Sequence, residues 1–451
     1  MKKYDLIVIG SGAGLDVAAF AADHGLKVAI VEDGPLGGTC LNRGCIPSKM
    51  LIHSADVAET IKNSAKFGIK SKIESIDFTS IVRRVNDEIG ADSKNIEKSI
   101  RESGNPILYK SEGKFIGPKT LKVGGEEITG DKIIIAAGTR PTPFKLLDDQ
   151  NIPYLDSTAA LRLEKQPRHL VIIGGGYIAA ELAHFFGGLD TKVTILVREN
   201  TMLNHEDREI AKWFTTEFMK KYDVRLKSEV EDITFEHHEY KIKLKNFDKA
   251  ITADRLLVAI GRTSNTDRLQ VSAAGVKMNE RGYIEVNLRL ETNIKGIYAL
   301  GDAVGIAPFR HTANTQAELL IHNLFFDKQL KMDYSTIGHA VFSSPQIGGV
   351  GQTEEQLKAT GTKYTVGRAE LKNTAMGSAL QENGLIKVLA DESGKEILGV
   401  RIVGHEASIL IHEAIIATQN KNSVSAIRDT VHIHPALNEW LQRALFGLFS
   451  F

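Results

Sequence analysis

The sequence predicts an α/β fold in which one strand–turn–helix unit occurs twice and is followed by a C-terminal α+β segment. Three observations carry that prediction. An apolar run from Tyr4 to Ile9 leads into Gly10-Ser11-Gly12-Ala13-Gly14-Leu15 and an alanine-rich helical stretch. The same order returns at Leu170-Val171-Ile172-Ile173-Gly174-Gly175-Gly176-Tyr177-Ile178-Ala179. Further on, Ala340 to Ile347 and the alternation near Ile386 to Leu389 read as antiparallel strands, with helices at Ile409 to Thr418 and Leu437 to Phe446. The two repeats have the pattern of Rossmann-like dinucleotide-binding domains, in which glycines permit a tight turn and close approach of a pyrophosphate.

In the first repeat the next β-run, Lys27 to Val31, ends in Glu32, a carboxylate placed to bond a ribose hydroxyl. Gly10 and Gly12 fill two fingerprint positions, but Leu15 stands at the third, so close helix-to-strand packing is expected to pass through Gly14. In the second repeat Gly174, Gly176 and Ala179 fill all three positions. Its following strand, Lys192 to Val197, ends in Arg198, a residue type suited to a ribose 2'-phosphate, which favours NADPH over NADH. An exposed loop arginine is the alternative. Two shorter echoes, Lys132 to Pro141 (with Ala137-Gly138) and Arg255 to Thr263 (with Gly261), close the repeats with the same apolar run, glycine and polar residues. Two such units suggest two nucleotides.

The only two cysteines, Cys40 and Cys45, lie in Gly37-Gly38-Thr39-Cys40-Leu41-Asn42-Arg43-Gly44-Cys45-Ile46-Pro47-Ser48-Lys49. Helical patterning after Cys45 puts that residue near a helix N-terminus, where the macrodipole and free N–H groups favour a thiolate. A pair of inert buried cysteines is the alternative at this point. Structural zinc requires four ligands and only His53 is near, so no metal site is expected. With two cysteines there is no secreted-type disulfide scaffold, which points to a reducing, cytoplasmic setting. Lys2 and Lys3 before Leu6 to Ile9 resemble the start of a signal peptide, but Asp5 and Asp16 interrupt it. The 56 basic residues balance the 56 acidic ones, so neither nucleic acid nor an anionic membrane surface is indicated as a partner. The longest apolar stretch, around Leu170 to Ala180, is glycine-laden and runs into Glu181 and His184, unlike a membrane span.

The two fingerprints in this order, with Gly37-Gly38-Thr39 before Cys40 and Ile46-Pro47-Ser48-Lys49 after Cys45, resemble the FAD-dependent pyridine nucleotide-disulfide oxidoreductases over nearly the whole chain. That family includes dihydrolipoamide dehydrogenase, glutathione reductase and mycothione reductase. The resemblance implies a redox disulfide, Cys40–Cys45, with Cys45 facing the flavin and Cys40 attacking the substrate. It implies FAD at Gly10, Gly12, Gly14, Glu32, Gly38, Thr39, Lys49, Ala137, Gly138, Gly301 and Asp302. The last two lie in Thr292 to Asp302, which looks like the family's second FAD segment. NAD(P) is implied at Gly174, Gly176, Tyr177, Ala179, Glu181, Arg198 and Gly261, with Lys49 paired to Glu181 and Tyr177 covering the nicotinamide pocket. His434-Pro435, followed by Glu439, is similar to the family's C-terminal motif, in which the histidine is the acid-base for the thiols of the other subunit and the glutamate orients it. A homodimer with a shared active site is the corresponding expectation.

The implied layout is an FAD-binding domain in two parts, 1–149 and 265–333, an NAD(P)-binding domain at 150–264 and a dimerisation domain at 334–451. The substrate class is a small-molecule disulfide or dithiol. His311 to Gln316, and His434 to Leu437 with Ala444 to Leu448, look nearest to mycothione reductase, while the redox motif differs little from that of dihydrolipoamide dehydrogenase, an NAD-dependent alternative. The second arginine expected in glutathione reductases is absent, Asn204 standing near that place. No cysteine follows Cys45, which disfavours mercuric reductase and the large thioredoxin reductases. Two further alternatives remain at this stage: a nucleotide-binding flavoprotein without disulfide turnover, and an NAD(P)H oxidase or quinone reductase.

Overall fold

The strand Lys2–Ile9 owes its central position to being apolar on both sides. Ile7 and Ile9 enter one buried cluster, and Leu6 and Val8 enter another on the opposite face. It runs parallel to Val28–Val31 on one side and to Glu126–Ile135 on the other. Such strands, covered on both faces, are the mark of α/β sheets. Ile107–Tyr109 and Ile297–Ala299 add further parallel strands, and an antiparallel extension, Gly113–Gly117 and Thr120–Val123, completes a seven-stranded sheet.

The computed structural model describes residues 1–420 and 422–449. The chain divides into two units, one made of Met1–Ser48, Val82–Thr142 and Gly261–Tyr334, the other of Lys49–Ile81, Pro143–Ile260 and Ser335 onward. The seven-stranded sheet belongs to the first. So does the short antiparallel pairing of Thr139–Pro141 with Arg262–Ser264, which fastens the outgoing and returning strands together.

In the second unit His169–Ile173 repeats the arrangement of Lys2–Ile9. It lies between Lys192–Leu196 and Arg255–Val258 in a four-stranded parallel sheet. A three-stranded antiparallel sheet, Val230–Glu236, Glu239–Leu244 and Phe247–Ala253, accompanies it. The C-terminal residues form a five-stranded antiparallel sheet in the order His339–Val341, Gln346–Gly351, Ile397–Gly404, Leu385–Asp391, Tyr364–Glu370. Helices Ala407–Thr418 and Glu439–Phe446 share one apolar core with this sheet, with Trp440 fully buried. The stretch between the cysteines and residue 104 is largely two helices, Cys45–Asn63 and Phe78–Ser103.

The internal repeat holds at the level of atoms. Ile9 stands opposite Val31 and Ile173 opposite Leu196. The next residue, a glycine in each case, donates its N–H to the partner strand: Gly10 to Val31 O at 2.9 Å and Gly174 to Leu196 O at 3.0 Å. Both glycines have positive φ, +103° and +126°, and a Cβ on either would lie 2.3 Å from a carbonyl oxygen, that of Ala136 or Ala259. No side chain is tolerated there.

A charged network is buried in the second unit. Lys387 and Asp207 are almost fully enclosed, and Lys387 Nζ donates to both Asp207 carboxylate oxygens at 2.9 Å and to Glu354 at 2.6 Å. Burial opposes the lysine's charge, but the bonds to Glu354 and Asp207 outweigh it and its pKa is raised. Asp207 also caps the helix Arg208–Phe218 through Glu209 N–H. Asp207→Ala leaves the buried Lys387 to Glu354 and Glu209 and removes the helix cap, so it is expected to cost about 2–3 kcal/mol in chemical denaturation. Adding Lys387→Met should recover part of that loss; equal stability of wild type and Asp207→Ala would refute the assignment.

Candidate active site

The cysteine segment is seated by backbone contacts. Gly37 and Gly38 have φ of +99° and +69°, and a Cβ on Gly38 would lie 2.6 Å from the Cα of Gly12. The short helix Gly38–Arg43, which carries Thr39 and Cys40, therefore starts directly on the first glycine turn. Asn42 is buried and its amide donates to the carbonyl oxygens of Leu36 (2.8 Å) and Gly38 (3.0 Å), while Ser93 Oγ donates to Leu36 O at 2.8 Å. These two polar residues fix the loop before Cys40. Neither has a signature in the sequence, because an Asn between two cysteines carries no signal until its burial is known.

Cys45 is the first residue of the helix Cys45–Asn63. Pro47 sits in its first turn, where a missing N–H costs nothing. The neighbouring thiol, Cys40, responds to this setting. Its pKa is lowered to about 7, chiefly by a hydrogen bond from the Cys45 thiol, against the upward effect of burial. The Arg310 charge and the N–H groups of Cys45 and Ile46 add to the lowering. The first-turn N–H groups reach back across the turn to the earlier sulfur.

Around the first glycine turn, Glu32 accepts from Ser11 N–H (2.9 Å), Ser11 Oγ (2.7 Å) and Gly34 N–H (2.8 Å). The helix-to-strand packing does run through Gly14, where a Cβ would lie 2.7 Å from Val8 Cγ1. Asp302 Oδ2 accepts from Thr139 Oγ1 at 2.8 Å, and Arg262 Nε donates to the same hydroxyl at 2.7 Å. Thr139 and Arg262 had been visible only as parts of the two echo motifs. Gly301 N–H donates to the buried Gln316 at 2.6 Å. Ala137 O accepts from the Asn265 amide at 2.8 Å, and Gly138 has φ +64° with open space where a Cβ would be. Gly261, expected among the NAD(P) residues, lies in the first unit and its carbonyl accepts from Thr142 N–H at 3.0 Å.

These residues fit a bound dinucleotide. Gly10, Gly12 and Gly38 form a cradle without side chains, beside the N-terminus of the helix Arg310–Phe325. In that helix's first turn Thr312 is 1% exposed, yet its hydroxyl has no hydrogen-bond partner, an arrangement that a ligand acceptor would complete.

In the second unit, Lys49 Nζ donates to both oxygens of Glu181 at 2.9 and 2.8 Å and lies 4.5 Å above the Phe342 ring. Phe342 N–H also donates to Glu181, at 3.0 Å. The nearly buried carboxylate is thus paired with a cation and a backbone donor, the condition for a charge to persist there. Gly176 caps the helix Tyr177–Gly188, leaving Tyr177 half exposed and Ala179 buried against the sheet. Arg198 is 81% exposed and its guanidinium donates to the neighbouring Glu199 at 3.1 Å. The register of the two repeats sets Val197, buried, at the position that Glu32 holds in the first.

Glu439 accepts from His434 Nδ1–H, at 2.9 and 3.2 Å, and Ala436 N–H donates to the same carboxylate. The bond from His434 holds the Glu439 pKa below its usual range. An ionised Glu439 fixes the Nδ1–H tautomer and leaves Nε2 as the basic nitrogen of a ring that is 70% exposed. Val431 and Ile433, on the same segment, are 95% and 81% exposed. Among the described residues no cluster of three or more metal-ligating side chains occurs, and no helix is long and apolar enough to cross a membrane.

Comparison with known proteins agrees with this geometry. Residues 4–317 match the family model described as pyridine nucleotide-disulphide oxidoreductase, and residues 337–445 match the dimerisation domain of the same family. Mycothione reductase of Mycobacterium tuberculosis (strain ATCC 25618 / H37Rv) is 34% identical over 99% of this chain and 100% of its own length. Dihydrolipoyl dehydrogenase of Chlamydia pneumoniae is 34% identical over 99% of this chain and 97% of its own. Among solved structures, the Cu(II) complex of the HOCl-induced flavoprotein disulfide reductase RclA from Escherichia coli overlays with a TM-score of 0.86 at 28% identity, covering 99% of both chains. The chain therefore belongs to the pyridine nucleotide-disulphide oxidoreductases, FAD-dependent enzymes acting on sulfur groups, and carries that family's dimerisation domain.

Proposed function

We propose that this chain is an NADPH-dependent reductase of a low-molecular-weight disulfide of the mycothiol-disulfide type, with an active site shared across a homodimer. In this reading FAD occupies 1–149 and 265–333, NADPH occupies 150–264, and 334–451 forms the dimer. FAD, when bound, supplies the relay between nicotinamide and dithiol. Glu32 holds an adenosine ribose hydroxyl, Asp302 is braced by Thr139 toward the same dinucleotide, and the Lys49–Glu181 pair borders the nicotinamide side with Tyr177 above it. Cys40 supplies the attacking thiolate. Having given its proton to His434 Nε2, it forms a mixed disulfide with one substrate sulfur; the other sulfur leaves as a thiolate that takes that proton. Cys45, losing its own proton to the same imidazole, then displaces the second sulfur, which leaves as a thiol once reprotonated, and closes Cys40–Cys45.

The observation that carries the reading is the ionisable arrangement at the cysteines: a Cys40 thiol brought to about 7 beside a second thiol, in a chain of this family. A panel of oxidised mycothiol, glutathione, γ-glutamylcysteine, coenzyme A and lipoamide, assayed with NADPH and NADH, tests it. Turnover of a small thiol disulfide with NADPH is expected, falling about a thousandfold or more in Cys40→Ser. Turnover that survives Cys40→Ser would overturn the reading.

Sharing of the site is supported by what surrounds His434. Its ring is exposed and flanked by Val431 and Ile433, two apolar side chains almost wholly in solvent within one chain, an arrangement that marks a contact surface. Coexpressed Cys40→Ser and His434→Ala chains should therefore form heterodimers with one intact site and about half of wild-type turnover. Inactive heterodimers would mean that both residues serve within one chain.

The NADPH preference rests on the exchange of a carboxylate for Val197 at the strand end, followed by the exposed Arg198. A carboxylate there would repel a 2'-phosphate, and valine does not. Arg198→Ala should raise the KM for NADPH roughly tenfold and leave that for NADH nearly unchanged. A second reading, an NADH-linked dithiol dehydrogenase, is favoured by the Glu199 carboxylate seated on Arg198; equal loss with both nucleotides in Arg198→Ala would support it.

A further inference from the structure

Within the second unit, the helix Cys45–Asn63 from Lys49 onward is tied to the helix Tyr177–Gly188 at three levels. Lys49 meets Glu181 at one end. In the middle Asp56 meets His184 at 2.7 Å, and a Cβ on Gly188 would lie 2.7 Å from that of Ala55. At the far end Lys62 Nζ donates to Gly188 O at 2.7 Å and to Asp190 at 2.6 Å. Residues 181, 184 and 188 share one face of their helix, as 49 and 56 share one of theirs.

His184 is fully buried. Apart from it and Glu181, the buried residues of its helix are alanine, leucine and phenylalanine. A carboxylate oxygen accepts, so the contact with Asp56 puts the ring hydrogen on Nε2. Nδ1 then has no hydrogen-bond partner among the described residues. Glu59, 4.0 Å from it, is bonded instead by Lys221, which also donates to Ser344 Oγ at 2.7 Å. A leucine would bury similar surface with no nitrogen left unpartnered, so what the histidine adds is one directed bond to the neighbouring helix. Apolar contacts such as Ala55 with Gly188 hold two helices together but let them slide. One residue of slide is about 1.5 Å, as large as the margin between a hydrogen bond and none.

We propose that His184 is a positioning residue: by bonding Asp56 it fixes the register of the two helices and so places Lys49 against Glu181. The inference deepens the proposed function, and its bearing on catalysis rests on the reading of that pair as the border of the nicotinamide side. Phe342 N–H orients the Glu181 carboxylate but does not fix the helix that brings Lys49 to it. Lys62 and Asp190 are exposed, so solvent weakens their tie.

Two measurements on the flavin-loaded enzyme test it. Acylation of Lys49 by N-hydroxysuccinimide acetate, followed by mass spectrometry, reads the pair itself, because pairing with Glu181 withholds the free amine. The limiting rate of flavin reduction by NADPH in anaerobic stopped flow reads the consequence. The amide nitrogen of a glutamine reaches as far as Nε2 of the histidine, and that of an asparagine only as far as Nδ1. His184→Gln should therefore keep both readouts near wild type. His184→Asn, and Asp56→Ala at its half-exposed position, should speed Lys49 acylation about fivefold and slow flavin reduction about tenfold, with nucleotide affinity within about twofold of wild type. In Glu181→Gln, where the pair is already broken, Asp56→Ala should add nothing. Wild-type acylation in His184→Asn and Asp56→Ala, a His184→Gln chain that behaves like His184→Asn, or an Asp56→Ala effect undiminished in Glu181→Gln would overturn the proposal. Flavin reduction unchanged in Glu181→Gln, with Lys49 freed in Asp56→Ala, would fail the nicotinamide-side reading of the pair while upholding the placement of Lys49 by His184.

Discussion

The approach of Gly38 to Gly12 is the contact on which the centre depends. Two backbone segments, one made to cradle phosphate and the other to carry sulfur, touch at a distance that no side chain could share. Everything reactive in the first unit is referred to that contact. Asn42 and Ser93 clamp the loop that leads into it, Arg310 stands beside it, and Cys40 follows it by half a turn of helix. A larger residue at Gly38 would strike the backbone of Gly12 and displace the segment that carries the sulfur.

Much of this was legible from residue type and order. Apolar runs leading into glycines, Leu6 to Ile9 and Leu170 to Ile173, identified the central parallel strands, because a strand buried on both faces has apolar residues in succession. The roles of Gly10, Gly174 and Gly14 followed from what their side chains would strike. The antiparallel C-terminal sheet showed itself more weakly, through alternation in two segments. Its five-stranded order depends on pairings between residues far apart in sequence, such as Gln346 with Gly404, that no local pattern encodes.

The less legible part consists of polar side chains whose meaning depends on burial. Asn42, Ser93, Thr139, Arg262 and Thr312 are common residue types without a motif of their own; the fold makes each of them matter by removing water and supplying or withholding a partner. The helix terminus at Cys45 was legible from the pattern that follows it, whereas the effect of its first N–H groups on the Cys40 sulfur depends on how the turn between the two cysteines folds.

The strand-end difference between the repeats has a consequence for how the halves of a duplicated fold come to differ. The first turn is followed by a carboxylate already held by three donors, and the second by a buried valine and an exposed arginine. At the first strand end the charge is the Glu32 carboxylate, and at the second Arg198 and Glu199 stand side by side. The two turns thus share one backbone device, a glycine that donates to the neighbouring strand, and differ in the charge that follows it.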